Sequence, residues 1–351
     1  MIFSDLTFKV NNNRIKLNTK MIQIASDLHL EQFFAAEIKA NIVPSYVDFC
    51  NVMISKNILK AGLNNPTLIL AGDICRLVDS YALCKLLLTY CSQNWKRVIW
   101  ICGNHEFYTS QKKTMDEIIY LAKYLTSKFN NVTFLDNSTT IVENTVIWGG
   151  TMWSYLPQNI QLNLPIYVQS NINSNPHSRL AGERSSRAFG TGASRSCDFV
   201  QQLTTSDYND LFYKALQSLN EAIKEAESLK LELIVVSHHA PMFDHMSDDW
   251  KINPHRFLYA TDLLPQIPNE KIKMWICGHT HVNVDSEFSN VRVICNSDPN
   301  KSDYKSCLTI NMNDILRDEI SKSQEGLAPA RLKVDDQTIL QFVPSPQQVS
   351  V

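Results

Sequence analysis

The chain has 351 residues, of which 44% are hydrophobic and 19% charged, and its formal net charge is −2. A chain of this length buries a large core, either as one large α/β domain or as two smaller ones. The near-neutral charge argues against a protein that holds long duplex nucleic acid by bulk electrostatics, although it is compatible with a local basic cleft.

The nine cysteines indicate an intracellular protein. They lie at unrelated spacings, form no C-x-x-C pair, and several of them, such as Cys102 and Cys277, are within apolar runs. We therefore expect reduced thiols and a cytoplasmic location. No basic region is followed by a long apolar one at the N-terminus, and no segment of about 18 apolar residues occurs, so neither a signal peptide nor a membrane span is expected.

The first 150 residues alternate between apolar strands and helices. Residues 1–20 alternate apolar and polar side chains, which predicts an N-terminal hairpin or an extra edge strand. Strand–helix alternation after residue 20 predicts a parallel sheet, and three short β segments then indicate a second sheet. The predicted strands are Met21–Ser26, Thr67–Ala71 and Arg97–Cys102, the helices are Val78–Cys91 and about 15 residues from Met115, and the later segments are Val132–Leu135, Thr140–Val142 and Val146–Trp148.

The second half repeats this pattern after an irregular stretch. Residues 155–205 have no sustained period and read as an insertion, in which tract 182–195 carries three arginines. This tract is a solvated loop or, alternatively, a basic lid over a phosphate. We assign 21–300 to one domain and 301–351 to a C-terminal extension with a possible helix at 314–322. The remaining predicted elements are the amphipathic helix Tyr208–Ser228, the strands Leu233–Val236 and Met274–Cys277, and the closing hairpin Val282–Phe288 and Val291–Cys295.

Five apolar strands end in side chains that can bind metal ions. A single histidine beside a strand more often has a structural role than a metal-binding one. Core strands have no need of Asp or His at their ends, however, so five such ends favour a metal site over a structural role. Parallel strands deliver such groups to the carboxyl edge of a sheet, where α/β proteins place their ligands. The residues are Asp27 and His29, Asp73, Asn104 and His105, His238 and His239, and His279 and His281.

The composition of this set indicates two ions rather than one. It contains carboxylate, imidazole and amide groups without thiolate, which suits Mn, Fe, Zn or Ni, with Mg a further option, better than a cysteine-type structural zinc. More ligands are present than one ion needs. Two ions about 3.5–4 Å apart can generate a hydroxide at neutral pH and hold a phosphoryl oxygen during in-line displacement.

The ordered motifs D-L-H (27–29), G-D (72–73), G-N-H-E (103–106), S-H-H-A-P (237–241) and G-H-T-H (278–281) resemble those of the calcineurin-like metallophosphoesterase superfamily. G-G-T-M-W (149–153) and V-I-C-N (293–296) are also similar to its small phosphohydrolases. The resemblance spans residues 22–296. It implies a four-layer α/β/β/α sandwich of two mixed β-sheets flanked by helices.

The resemblance also implies a role for each matching residue. His105 would contact the phosphate and act as general acid, and Glu106 would orient His105. The motif leaves open which of His238 and His239 binds metal, and we choose His238 because it is nearest the strand end. The implied ligands are Asp27, His29 and His281 for the first metal, Asp73 as a bridge, and Asn104, His238 and His279 for the second.

The reaction expected from this set is hydrolysis of a phosphate ester by a metal-bridging hydroxide, with a nucleotide or cyclic-nucleotide phosphodiester as the preferred substrate. Alternatives are a phosphomonoesterase or nucleotide phosphatase, a nuclease, and a protein-binding scaffold that retains the fold. G-D-I-C-R (72–76) departs from the protein phosphatase branch, which has Asp at the position of Arg76. We expect a small phosphorylated partner and no membrane, whereas the oligomeric state stays open.

Several further residues are candidate substrate contacts. Arg76 would reach the phosphate or form a surface ion pair, and Trp153 and Tyr155 would stack on a base or aryl leaving group. His239 would contact the substrate or support a ligand. His245 and His255 are read as solvated loop residues, with the mouth of the pocket as the alternative position.

Overall fold

The computed structural model describes residues 21–62, 67–169 and 200–312. The predicted hairpin at 1–20, tract 182–195 and the predicted helix at 314–322 lie outside the described residues. The strands in these ranges are β1 (Met21–Ala25), β2 (Thr67–Ala71), β3 (Arg97–Ile101), β4 (Val132–Phe134), β5 (Ser138–Val142), β6 (Thr145–Gly150), β7 (Tyr167–Gln169), β8 (Val200–Gln202), β9 (Glu232–Ser237), β10 (Ile272–Cys277), β11 (Val284–Phe288), β12 (Val291–Cys295) and β13 (Thr309–Asn311).

The first sheet has the strand order β13-β1-β2-β3-β4, in which β1 to β4 are parallel and β13 is antiparallel to β1. The prediction that Val132–Leu135 enters the second sheet is wrong, because the helix before this segment returns the chain to the edge of β3 in one more strand–helix–strand unit. β13 lies beyond residue 300, so the predicted domain boundary falls before the last strand of this sheet.

The second sheet has the order β11-β12-β10-β9-β6-β5. Its four inner strands are parallel, and β11 and β5 are antiparallel edges. The predicted closing hairpin is β11–β12. A separate antiparallel pair, β7 and β8, flanks residues 170–199, and the neighbouring Leu156, Ile166 and Leu203 are buried. The described ends of the predicted insertion therefore pack against the domain.

The two sheets pack face to face. Successive side chains of a strand point to opposite faces, and in β2 Ile69 and Ala71 join a buried cluster that also contains Ile234 and Val236 of β9. Leu68, on the opposite face of β2, belongs to a different buried cluster. One core thus lies between the sheets and another beneath the helices.

The helices cover the outer faces and complete the predicted four-layer α/β/β/α sandwich. α4 (Tyr81–Asn94) contacts β3 and α5 (Met115–Thr126) contacts β4 of the first sheet, and α6 (Thr205–Leu229) contacts β5, β6 and β9 of the second. α6 begins at a capping box formed by Thr204 and Asp207 and buries Phe212, Leu216 and Leu219. The helices are α1 (Leu30–Phe33), α2 (Ala35–Lys39), α3 (Tyr46–Ser55), α4 (Tyr81–Asn94), α5 (Met115–Thr126), α6 (Thr205–Leu229) and α7 (Asp248–Lys251).

Backbone hydrogen bonds join the carboxyl ends of the inner strands. Asp27 N donates to Gly72 O across β1 and β2, at 3.0 Å, and Gly278 N donates to His238 O across β10 and β9, at 2.9 Å. Ser26 N donates to Asn296 O at 3.0 Å and thereby links the first sheet to the second. The polar residues that follow these strands are consequently brought to one edge of the sandwich.

Candidate metal centre

Left-handed backbone conformations recur where these strands end. Asp27, His29, Asp73, His279 and His281 have φ angles between 41° and 66°. Non-glycine residues adopt such conformations at a cost of about 1–3 kcal/mol, and Asp and His do so more often than most other residues. Five of the predicted ligands therefore have a backbone that the fold strains in order to place their side chains.

Gly103 and Gly278 permit the close approach of these turns. A Cβ on Gly103 would overlap with Asp73 Oδ1, and a Cβ on Gly278 would overlap with Ser26 Oγ. Neither glycine has a positive φ. These positions require glycine for lack of space rather than for a left-handed turn.

The first cluster consists of Asp27, His29 and His281, whose ligand atoms lie within 4.8 Å of one another. His281 Nε2 lies 3.3 Å from Asp27 Oδ1 and 3.4 Å from His29 Nε2. The fully buried Asp27 accepts hydrogen bonds from Ser26 Oγ at 2.6 Å and from the backbone nitrogen of His279 at 3.1 Å. Its carboxylate is thus fixed between two turns.

The second cluster consists of Asp73, His238 and His279. His238 Nε2 lies 3.2 Å from Asp73 Oδ2 and 3.0 Å from Asn104 Oδ1. Asn104 Nδ2 donates to Tyr108 Oη at 3.0 Å, which turns its amide oxygen towards the cluster. Asp73 also forms a third group with His29 and His105, so its carboxylate lies between the two clusters.

Three of the four predicted histidine ligands have a hydrogen-bond acceptor on the side away from the clusters. His238 Nδ1 lies 2.9 Å from Ala71 O, and His279 Nε2 lies 3.1 Å from Leu258 O. His281 Nδ1 lies 3.2 Å from Asp298 Oδ2. Such acceptors fix the tautomer and orientation of a metal-binding imidazole.

The charges and donors of the clusters fit two divalent ions. Burial opposes the charge of Asp27, but the bond with His281 and the nearby His238 lower its pKa to about 2. Burial also opposes the protonation of His238, but Asp73 raises the pKa of His238 to about 10. The carboxylates of Asp27 and Asp73 thus create a demand for positive charge, which protonated histidine meets in the metal-free protein. Borderline divalent ions would provide the same positive charge when bound by these oxygen and nitrogen donors.

His105 lies beside Asp73 on the solvent side. Its Nε2 is 3.9 Å from Asp73 Oδ2, its backbone nitrogen donates to Asp73 Oδ1 at 2.7 Å, and its side chain is 29% exposed. Burial lowers the pKa of His105, with Asp73 acting in the opposite direction. The imidazole is therefore accessible to a ligand and adjacent to the shared carboxylate.

The contacts of Glu106 correct the prediction that it orients His105. Its two oxygens accept from the backbone nitrogens of Asp73 at 2.9 Å, Ile74 at 2.7 Å and Gly103 at 2.6 Å. These bonds tie the turn after β3 to the turn after β2. Glu106 is fully buried, and its carboxylate positions the backbone around Asp73 instead of an imidazole.

His238 and His239 have different surroundings. His239 Nε2 lies 3.1 Å from Tyr208 Oη, and its Nδ1 lies 3.3 Å from Thr151 O. Both ring nitrogens of His239 are thus engaged within the protein, and burial holds its pKa well below the usual value. His238 points one nitrogen at Asp73 and Asn104, which agrees with choosing His238 as the ligand.

A cavity of about 500 Å³ opens from the clusters. Of the predicted substrate contacts, His239 and Trp153 line it. Tyr155 packs against Phe212 and Tyr213, and Arg76 lines a separate surface depression, so the structure corrects both predictions. Arg76 follows Asp73 closely in sequence, but the chain turns away from the cavity between them.

Other lining residues were not identified from the sequence. Trp250, Tyr259, Met246 and Leu258 form one side of the cavity, and Lys301 contributes a cation. Trp250 lies with its ring centroid 4.6 Å from that of Tyr259, which in turn stacks at 4.8 Å on His279. Their segment has no regular period, so no sequence signal identified them. His245 is buried rather than solvated, whereas His255 is exposed.

The profile of the calcineurin-like phosphoesterase family matches residues 22–283. The chain is 22% identical over 292 residues to protein L509 of Acanthamoeba polyphaga mimivirus, covering 79% of this chain and 90% of that protein. It is also similar to the phosphopantetheinyl hydrolase PptH of Mycobacterium tuberculosis (14% identity, 84% and 96% of the two chains covered, TM-score 0.48). A further similar structure is TT1561 of Thermus thermophilus (10% identity, 85% and 96% covered, TM-score 0.40).

None of the helices among the described residues combines the length and the hydropathy that a membrane span requires. The matched region contains all the strands that carry the two clusters and most of the cavity. The chain belongs to the calcineurin-like phosphoesterase family, whose members hydrolyse phosphate esters at a dinuclear divalent metal centre.

Proposed function

We propose that the protein hydrolyses phosphodiesters, with a nucleotide or cyclic nucleotide as the preferred substrate. The observation that carries the hydrolytic part of this proposal is the position of Asp73, which belongs to one cluster with His238 and His279 and to another with His29 and His105. One carboxylate can therefore serve both ions and lie beside the candidate acid. The proposed ligands are Asp27, His29 and His281 for one ion, Asp73 for both, and Asn104, His238 and His279 for the other.

Each residue has a distinct task in this proposal. Two divalent ions supply Lewis acidity towards the phosphoryl oxygens and lower the pKa of water. His105 is partly exposed and 3.9 Å from Asp73 Oδ2, so its Nε2 can reach the leaving oxygen of a phosphate held at the clusters and protonate it. Glu106 keeps the turn carrying His105 against the turn carrying Asp73.

The cavity walls support an aromatic, weakly charged substrate. Tyr108, Trp153, Trp250 and Tyr259 present aromatic surface. Apart from the histidines, Lys301 is the one cationic side chain among the described residues that line the cavity. Aromatic side chains stack on nucleobases at about 1–3 kcal/mol per base. A diester monoanion needs fewer cations than a monoester dianion or a long nucleic acid, so these walls favour the diester over a phosphomonoester or a nuclease substrate.

A protein-binding scaffold is the competing hypothesis from another class. A scaffold protein has no need of a complete set of metal ligands. It also has no need to hold their side chains by hydrogen bonds on a left-handed backbone. All seven proposed ligands contribute to the two clusters or, in the case of Asn104, bond to one of them. The geometry therefore supports catalysis over the scaffold.

The test begins with protein stripped by a chelator and reloaded with Mn²⁺, Zn²⁺, Ni²⁺ or Fe²⁺. We expect about two ions per chain and turnover of bis-p-nitrophenyl phosphate and cyclic nucleotides faster than of p-nitrophenyl phosphate. Asp73→Asn should lower kcat/KM by about a thousandfold or more, whereas Asp116→Asn, at an exposed position of α5, should match wild type. Full activity of Asp73→Asn, or protein that binds no metal, would refute the catalytic proposal.

A further inference from the structure

Glu31 lies between the metal clusters and the candidate acid His105. It is neither one of the proposed metal ligands nor the proposed acid. Its Oε1 is 3.7 Å from His29 Nδ1 and 4.0 Å from His105 Nδ1. The side chain is 18% exposed. Glu31 therefore approaches the rear nitrogens of two imidazoles whose front nitrogens face Asp73.

Atoms on both sides of this gap are buried and lack a hydrogen-bond partner. They are His29 Nδ1, His105 Nδ1 and Glu31 Oε2. Buried polar atoms are nearly always paired in folded proteins, directly or through water, so three unpaired atoms in one place indicate that the Glu31 carboxylate and the two imidazoles are partners for one another. The terminal torsion of a glutamate is broad, so the Glu31 carboxylate can turn one oxygen towards each nitrogen.

The remaining histidines of the site reinforce this interpretation. His238, His279 and His281 each have an acceptor within 3.2 Å on the side away from the clusters. His29 lacks such a partner at hydrogen-bond distance, and the group that faces its rear nitrogen is Glu31. Glu31 is thus the candidate hydrogen-bond acceptor for the rear nitrogen of His29. A main-chain carbonyl or Asp298 provides this acceptor for the other three histidines.

The local backbone fixes Glu31 in this place. His29 N donates to Asp73 O and Leu30 N donates to Ile74 O, both at 3.0 Å. Leu30 is fully buried, so the first turn of α1 is held against the turn after β2. The short helix after the D-L-H motif therefore carries Glu31 to the rear of both rings.

We propose that Glu31 is a positioning residue that accepts hydrogen bonds from Nδ1–H of both His29 and His105, and so orients a metal ligand and the leaving-group acid with one carboxylate. The part concerning His105 rests on the proposed function. The part concerning His29 requires only that the site binds metal. Glu31 takes the task that the sequence had suggested for Glu106.

The test compares Glu31→Ala, Glu31→Gln and Glu31→Asp with Glu37→Gln, a nearby substitution on α2. Mn²⁺ is titrated calorimetrically into each chelator-stripped protein, and kcat is measured at saturating Mn²⁺ on bis-p-nitrophenyl phosphate and on a cyclic nucleotide, which has a poorer leaving group. Glu31→Ala should weaken one of the two Mn²⁺ sites about 10- to 100-fold. It should also lower kcat at least tenfold more on the cyclic nucleotide than on the nitrophenyl ester.

The conservative variants separate positioning from a general structural role. Glutamine keeps one acceptor oxygen, so Glu31→Gln should recover one of the two losses, and Glu31→Asp should recover part of both. Unchanged Mn²⁺ affinity together with equal losses on the two esters would overturn the proposal. If wild type hydrolyses neither ester, the proposed function fails, and the Mn²⁺ titration decides alone: a weakened site supports the role of Glu31, and unchanged affinity refutes it.

Discussion

The cavity has two sides that are built in different ways. One side, the metal floor, consists of the turns after β1, β2, β3, β9 and β10, and Asp27, Asp73 and His238 there are at most 1% exposed. The other, the aromatic wall, consists of Met246, Trp250, Leu258 and Tyr259. Trp250 lies on α7, which has four residues, and Leu258 ends the 3₁₀ helix Pro254–Leu258. Trp250 is 37% exposed.

This difference separates chemistry from selection. Strand ends joined by backbone bonds can hold ligands precisely enough for catalysis, because precise geometry needs rigid support. Short helices in a long connection can vary without disturbing the sheets. We therefore expect changes in the metal floor to remove the reaction on every ester, and changes in the aromatic wall to alter which ester is preferred.

The largest expected effect is a difference in activity and metal content between variants of two adjacent histidines of the metal floor. His238→Gln should lose one ion and at least about a thousandfold in kcat/KM on all esters, because His238 Nε2 faces Asp73 and Asn104. His239→Gln should keep both ions, because both nitrogens of His239 bond to Tyr208 and Thr151. Metal content and kcat/KM of both variants provide the measurement. Two ions in His238→Gln, or one in His239→Gln, would reverse the assignment.

The second expected effect concerns protons in the metal floor. In the metal-free protein, Asp73 and Asp27 raise the pKa of His238 to about 10, and Glu31 and Asp73 raise that of His29 to about 9, in both cases against burial. Both groups are therefore protonated at pH 7, and metal ions bind their deprotonated forms. Affinity should fall about tenfold per pH unit for each proton released, as pH falls below these pKa values.

Calorimetric titration of Mn²⁺ in buffers of different ionisation enthalpy counts the protons released. We expect about two at pH 7, and weaker binding at pH 6 than at pH 8. The affinity of the aromatic wall for a nucleoside without phosphate should change little over the same range. Metal binding without proton release would contradict the charge distribution of the floor.

Most of the metal floor could be predicted from the sequence because its signal is local. The apolar runs of β1, β2, β3, β9 and β10 end abruptly at polar residues, and a parallel sheet brings such ends to one edge. Asp27, Asp73 and His279 were identified in this way, and the structure places them together. The four-layer fold came from the family resemblance, and the alternation of Leu68 and Ile69 between two cores agrees with it.

The supporting contacts could not be predicted because they depend on tertiary structure. The sequence places Glu106 next to His105, but three backbone amides from two different turns occupy its carboxylate. Glu31 reaches His105 from a separate helix. Trp250 lies in an irregular connection, where neither period nor motif indicates which face meets the cavity.

The third expected effect is selective for the substrate. Trp250→Ala should raise KM for a cyclic nucleotide about tenfold, since an aromatic side chain contributes about 1–3 kcal/mol to stacking on a base. Activity on bis-p-nitrophenyl phosphate should fall less, and Trp250→Phe should retain most of the nucleotide preference. Ile252→Ala, at an 83% exposed position in the same segment, is the control. An equal loss on both esters would place Trp250 in a general structural role.

The smallest expected effect is on the stability of the connection that carries the aromatic wall. His245 is 5% exposed, its Nδ1 lacks a partner, and its Nε2 lies 3.4 Å from Ser286 Oγ. Burial lowers its pKa, although Asp244 and Asp262 act in the opposite direction. The folded pKa is therefore below the unfolded value of about 6.5. Below that pH the unfolded chain binds a proton that the folded chain does not, so stability is complete above about pH 6.5 and falls as pH decreases.

This effect amounts to at most about 1.4 kcal/mol per pH unit for one group, which is about 2 °C in Tm for a chain of this size. His245→Gln should reduce the loss of Tm between pH 7 and pH 5.5, whereas His255→Gln, at an exposed position of the same connection, should keep the wild-type dependence. Thermal unfolding of chelator-treated protein isolates this term from metal binding. Identical pH dependence in wild type and His245→Gln would exclude His245 as the source of the loss of Tm.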